Sequence, residues 1–249
     1  MERVKLLVGV DGARGGWFCM WISSHEEVEH EIFPDIQSLW TKFEAADDIL
    51  IDIPLGLVEA GMEERICDRK ARRILGKGRG SSVFRVPCRP AVYSSPYPSA
   101  SSINKGLTGK SLSKQSWNIT PKIREVDQLL ISNERAKTVF KEVHPELSFW
   151  GLNNRTAMTF NKKCENGFQE RVAILDQYWE NASGVVEAIQ TSYSRKILFR
   201  DDIVDAFAIL LMGRLPGRDL CSLHGVSLVD EKGITMEILV GISKARNFP

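Results

Sequence analysis

Residues 4–22 read VKLLVGVDGARGGWFCMWI, and the rest of the chain is best read outward from them. From Val4 to Val10 only Lys5 interrupts an apolar run, the pattern of a strand buried on both faces. A glycine-rich turn follows, Gly12-Ala13-Arg14-Gly15-Gly16, and then a second apolar run from Trp17 to Ile22. Two such runs split by a short turn predict a β-hairpin. Asp11 ends the first run. An unpaired buried carboxylate is costly, so Asp11 either accepts hydrogen bonds from the turn, as Asp before Gly commonly does, or binds a cation on the lip of a sheet.

The same arrangement recurs downstream. Glu27–Phe33 alternates polar and apolar residues, as a half-exposed third strand would. A helix then starts at Pro34-Asp35, with Asp35 as its N-cap and Ile36, Leu39, Trp40 and Phe43 on one face. Asp47–Ile53, DDILIDI, is a second buried-strand pattern, and it too delivers a carboxylate, Asp52, at its C-terminal end. Ligand sites in open α/β sheets lie at the C-terminal ends of strands.

Glu63–Leu75 predicts a helix with a basic face, followed by a glycine-rich loop from Gly76 to Pro90. The segment Arg69–Arg89 holds Arg72, Arg73, Lys77, Arg79, Arg85 and Arg89 among its cations and contains no Asp or Glu. Such a loop can grip phosphates, although charge runs are usually solvated faces. Its glycines match neither a Walker A loop nor a dinucleotide fingerprint. Tyr93–Lys114, rich in Ser, Pro and Gly, reads as a surface loop. Thr120-Pro121 is expected to open a helix, with Pro at its first position. Residues 54–137 therefore read as an insertion between strands of one domain spanning 1–249.

Thr138–Val143 predicts a short strand that runs into Glu142, His144 and Glu146. His144 suits a general base and either glutamate a metal ligand. The plainer reading is a strand end before Pro145, with a glutamate at a helix N-terminus. The stretch Asp201–Met212 reads as a helix with Asp201 as N-cap. Asp202 and Asp205, three apart, share one face, and capping does not explain Asp205 within an apolar run. Val226–Val229 and Ile234–Val240 suggest a terminal hairpin around Asp230–Gly233.

Composition narrows the class. The chain has 249 residues, 43% hydrophobic and 26% charged, with a formal net charge of +1, so its overall charge does not mark it for nucleic acid or an anionic membrane. No apolar run approaches the ~20 residues of a membrane-spanning helix, and the N-terminus does not read as a signal peptide. Five scattered cysteines without a CxxC pair suit free thiols in a cytoplasmic protein and disfavour a zinc site. The oligomeric state is not readable.

Asp11, Asp52, Asp202 and Asp205, with Glu142 or Glu146, form a set of acids that would repel one another without cations. Mg²⁺ or Mn²⁺ suits such hard oxygen ligands, and two such ions can support phosphodiester cleavage. The segments GVDGARGGW (9–17), IDIPLGL (51–57), RICDRKARRILGKGRGSSVFRVPCRPAV (65–92), EVHPELSF (142–149) and DDIVDAFAI (201–209) together resemble a family of predicted nucleases with an RNase H-like fold. The resemblance implies an α/β fold with a mixed five-stranded sheet, three strands antiparallel and the next two parallel to the first, flanked by helices. By similarity to junction resolvases of that fold, it implies that Asp11, Asp52, Asp202 and Asp205 hold the metal. Glu142 and His144 belong to the family's own motif. Arg14 and the basic segment would then bind substrate, either nucleic acid (DNA or RNA) or a phosphorylated small molecule. Two alternatives stay open. One is a nucleic-acid- or nucleotide-binding module without catalysis. The other is an ATP-dependent phosphotransferase of the actin-like superfamily, disfavoured by the single phosphate-gripping hairpin.

Overall fold

The computed structural model describes residues 5–61, 64–214, 218–223, 225 and 228–243. Val4, Glu63, Val226 and Ser227, which the expected elements include, lie outside the described residues. The opening hairpin is β1 (Leu7–Ala13) and β2 (Gly16–Ile22), antiparallel with Ala13 opposite Gly16. The turn is therefore only Arg14-Gly15, and β1 runs on past the point where the expected strand stopped. Asp11 sits inside it, opposite Phe18. The turn can be this tight because Gly16 takes φ 134°, a conformation open to glycine but strained for other residues.

β3 (Val28–Phe33) pairs antiparallel with β2. Helix α1 (Ile36–Phe43) is capped by Asp35, whose side chain accepts a 2.7 Å bond from Ser38 N. β4 (Asp48–Ile51) lies parallel to β1. Then come α2 (Ile66–Arg79), a 3₁₀ turn at Gly80–Ser82, α3 (Arg89–Val92), α4 (Tyr97–Thr108), α5 (Lys114–Ser132) and α6 (Glu134–Val139). α6 leads directly into β5 (Phe140–Glu142), which is parallel to β4. The chain continues through α7 (Pro145–Leu152), α8 (Glu165–Leu175), α9 (Ala182–Ser192) and α10 (Arg200–Arg214), then β6 (Arg218–Ser222), β7 (Leu228–Val229), β8 (Thr235–Met236) and β9 (Leu239–Ser243). β7 and β8 form the expected terminal hairpin, shorter than expected.

The main sheet has the order β3-β2-β1-β4-β5. Three antiparallel strands are followed by two parallel to the first, which is the RNase H-like arrangement. Among the described residues no helix is long and apolar enough to cross a membrane.

The helical segment departs from expectation in three places. Most of Tyr93–Lys114 is helix α4, not loop. Its first turn tolerates Pro98, and Gly109, with φ 77°, closes its end. α5 begins at Lys114, capped by Ser113, so Pro121 lies within the helix. The glycine-rich loop after Leu75 is largely helical, broken at Gly76, where φ is 65°.

Contacts divide the chain into two compact units. The first comprises Met1–Asp52, Val139–Cys221 and Leu239–Pro249 and contains the five-stranded sheet. The second comprises Ile53–Thr138 and Ser222–Ile238, with a small apolar cluster of Val58, Cys88, Ala91 and Met236.

Within the first unit the strand alternation sorts residues by face. Trp40 of α1 packs on Phe140, and Phe43 on Trp21 and Phe33, so α1 covers one face. α10 covers the other. A Cβ on Gly9 would lie 2.6 Å from Ala206 O, so the missing side chain lets the backbone of α10 rest directly on β1. Asp11, two residues on, shares that face with Gly9. Ala206 lies over Gly9, and Gly213 near Leu7 and Leu50. The helix thus runs antiparallel to β1 and brings its first turns to the strand's C-terminal end.

Candidate active site

Four aspartates from three distant segments meet where α10 starts over the sheet. Asp11 is 8% exposed and Asp205 2%; Asp52 and Asp202 are half-buried. Asp52 follows β4, its backbone N–H bonded to Val10 O at 3.0 Å. The alternation that puts Leu50 under α10 puts Asp52 on the same side as Asp11. α10 begins at Arg200, so Asp201 lies inside the first turn and is not the N-cap expected of it. Asp202 instead reaches back and accepts a 2.9 Å bond from Phe199 N. Asp11 accepts a 2.8 Å bond from the N–H of Gly12, its neighbour within β1 and outside the turn, which answers only part of its charge.

The acids perturb one another. Burial, then the charges of Asp52, Asp205 and Asp202, hold the Asp11 carboxyl well above the ordinary carboxylate range. Burial and then the Asp205 charge push Asp52 up to about 7. Burial, opposed by the Phe199 bond and aided by Asp201 and Asp205, pushes Asp202 up to about 6.

Sequence reasoning left out one member of the site. Lys162 Nζ donates to Asp205 Oδ2 at 2.5 Å and lies 3.9 Å from Asp201. The Asp205 charge, working against burial and aided by Asp11, holds this ammonium above the usual lysine range. Its loop is placed by α8. A Cβ on Gly167 would strike Asn161 O, and Arg171 holds Phe160 O at 3.2 Å. The only local hint was a pair of lysines ahead of a helix; the partner stands 43 residues away.

By chemistry the aspartates fit a hard divalent cation: they are oxygen donors, partly desolvated, with unmet negative charge. As they stand, no three His, Cys, Asp or Glu side chains among the described residues are gathered closely enough to hold an ion. The Lys162 ammonium serves as counter-ion. Ligation would need Lys162 to yield Asp205 and the carboxylates to draw closer together.

Other expected residues lie elsewhere. Glu142 pairs in register with Ile51, and Ile51 with Val10, so alternation puts its side chain on the α1 face, away from Asp11. His144 caps α7, its Nδ1 accepting from Glu146 N at 3.2 Å. Glu146 is held by Arg171 at 2.6 Å in a buried pair, side chains 7% and 1% exposed; it braces the Lys162 loop and does not join the aspartates. Arg14 is exposed at the hairpin tip, its guanidinium 4.7 Å over the Phe199 ring.

The basic segment belongs to the second unit and divides in two. Arg73, Lys77 and Arg85 are exposed and Arg79 half-exposed. Arg72 donates to Glu64 and to Val83 O. Arg89 is buried with its donors on Asp127, Glu59 and Asp230. The donors of these last two point at protein acceptors, which corrects their expected role in gripping phosphate.

Sheet order and clustered aspartates define an RNase H-like α/β protein with a carboxylate site at the strand ends. The family model described as "Protein of unknown function (DUF429)" matches residues 9–226, and the chain belongs to that family. No curated protein and no solved structure gives a significant match.

Proposed function

We propose that the chain is a divalent-metal-dependent phosphodiesterase acting on nucleic acid, with Asp11, Asp52, Asp202 and Asp205 as its metal-holding carboxylates. One observation carries this reading. Aspartates from three separate segments lie close enough to act on one another, and burial with the neighbouring charges raises the proton affinity of Asp11, Asp52 and Asp202. A group arranged only for stability would be paired or uncharged. A bound Mg²⁺ or Mn²⁺ would lower the pKa of an attacking water and offset charge on the phosphate. The chain's own residues do the rest. Asp11, Asp52, Asp202 and Asp205 would hold the cation as carboxylates, and Lys162, which now donates to Asp205, would be placed to meet the phosphate. The exposed cations Arg73 and Lys77 can meet a polyanion's backbone.

The test is hydrolysis of a labelled oligonucleotide with Mg²⁺ or Mn²⁺, comparing the unaltered chain with Asp11→Asn and Asp205→Asn. Metal-dependent cleavage that either substitution abolishes supports the assignment; cleavage indifferent to both refutes it. A second reading, a nucleic-acid-binding module without catalysis, is favoured by the Lys162–Asp205 pair, which already supplies a counter-charge. Calorimetry separates the two. No Mn²⁺ uptake, with oligonucleotide still bound, selects the module.

A further inference from the structure

A cavity of about 710 Å³ opens beside the aspartates, lined by Arg14, Lys162, Lys163, Gln190, Arg195, Phe199, Arg200 and Asp201. Lys162 and Asp201 belong to both places. Its walls carry five cations against one acid. Lys162 is paired with Asp205, and Arg200 with Glu165 at 2.7 Å. Among the described residues, Arg14, Lys163 and Arg195 have no ion-pair partner. The walls are also built. Gly15 N donates to Ile197 O at 2.9 Å, tying the hairpin tip to the loop that carries Arg195 and Phe199. The Arg14 guanidinium sits over the Phe199 ring and makes a cation–aromatic pair. Clustered cations repel one another, and an anion relieves that cost. The volume is that of a small-ligand site. A guanidinium–aromatic pair beside cations suits a base with its phosphate, because bases stack on aromatic rings and on guanidinium planes.

We propose that this cavity seats one nucleotide unit of the substrate, its phosphate held by Arg14, Lys163 and Arg195 and its base stacked on the Arg14–Phe199 platform. The substrate is accordingly single-stranded nucleic acid, since a base in a duplex is stacked on its neighbours and unavailable to such a platform. This assignment rests on the phosphodiesterase reading, and it moves the main cationic grip from Arg69–Arg89 to the aspartates' own unit.

The experiment measures binding without cleavage. Fluorescence anisotropy of a labelled single-stranded oligothymidylate or oligouridylate, in EDTA, is followed over a salt series. The proteins are the unaltered chain, Arg14→Gln/Arg195→Gln, Arg195→Gln alone, and Lys105→Gln as an exposed-cation control. The double substitution should weaken binding at least tenfold and reduce the salt slope by about 1.4. Arg195→Gln should give an intermediate loss and Lys105→Gln none. Competition by a nucleoside monophosphate as effective, per nucleotide, as the strand would support the pocket and identify free nucleotide as its source. Unchanged affinity in the double variant, or tighter binding of a duplex than of the strand, overturns the proposal. The two readings fail separately. Intact metal-dependent cleavage with unaltered KM in the double variant removes the pocket but leaves the hydrolase. Arginine-dependent binding with no cleavage by the unaltered chain removes the hydrolase but leaves the pocket.

Discussion

Each compact unit buries a knot of carboxylates, and the two knots are handled in opposite ways. In the second unit Asp127, Glu59 and Asp230 converge on Arg89, whose fork bonds both oxygens of Asp127 at 3.1 Å and reaches Glu59 at 2.5 Å. Burial works against the Arg89 charge, yet bonds to Asp127, Glu59 and Asp230 hold its pKa above the ordinary value. Tyr93 adds a 2.9 Å bond to Asp127, and Leu57 N one to Asp230. In the first unit the aspartates have one another, single backbone bonds to Asp11 and Asp202, and the end of a lysine on Asp205. A rigid guanidinium can answer several carboxylates at once and lock them; an ammonium on a four-carbon stem answers them loosely and can leave. Acids locked by arginine belong to the architecture. Acids left close to one another keep an electrostatic cost that, on the proposed function, a metal would relieve.

The contrast can be broken most forcefully at Arg89. Arg89→Met should lower unfolding stability by about 3–5 kcal/mol, because the buried carboxylates lose their partner; a urea midpoint that does not move would make the two knots alike. Asp11→Asn should do the reverse to stability while removing function. Hydrolysis should fall at least ~100-fold, roughly 2.7 kcal/mol of transition-state stabilisation, and the metal-free Tm at pH 8 should rise. A lower Tm would mean that Asp11 is structural.

pH sharpens the difference. Asp52 and Asp202 titrate near 7 and 6 in the folded chain and near 4 when unfolded. Between about pH 4 and 7 the folded state binds more protons, so metal-free stability should fall as pH rises through that window. Saturating Mn²⁺ should flatten the slope, and Asp52→Asn should reduce it. Thermal melts from pH 5 to 8 measure it, and a rise over that range would contradict the electrostatics.

Gly9→Ala would push a methyl against Ala206 O and lift α10 off β1, at a cost of about 1–3 kcal/mol. Activity should drop with it, since the same contact sets Asp205 over Asp11. Full activity after this substitution would show that the close approach does not align the site. Smallest of all, Lys162→Met should tighten Mn²⁺ binding several-fold by removing the tethered competitor. Weaker binding in calorimetry would make the lysine a support for the ion and not its stand-in.

Much of this was readable beforehand, for reasons that differ from element to element. The hairpin and β4 stood out because strands buried on both faces must be apolar throughout. The pairing of Asp202 with Asp205 stood out because helical spacing is local. α4 was hidden because its buried positions include Asn104 and Thr108, whose bonds to Cys88 N and Asn104 O replace the apolar stripe that would have announced a helix. Arg89 and Arg73 look alike in a run of cations, yet one is buried against acids from Glu59 to Asp230 and the other is exposed.

Residue order by itself determined the strands, their apolar faces and the positions at which acids interrupt them, because those patterns repeat over two to four residues. Only tertiary structure decided which charges meet. Lys162 reaching Asp205, Arg171 claiming Glu146, and Arg195 joining Arg14 around one cavity all depend on segments far apart in the chain. Electrostatic energy follows distance in space and exposure to water, and neither quantity is encoded in the spacing of neighbours.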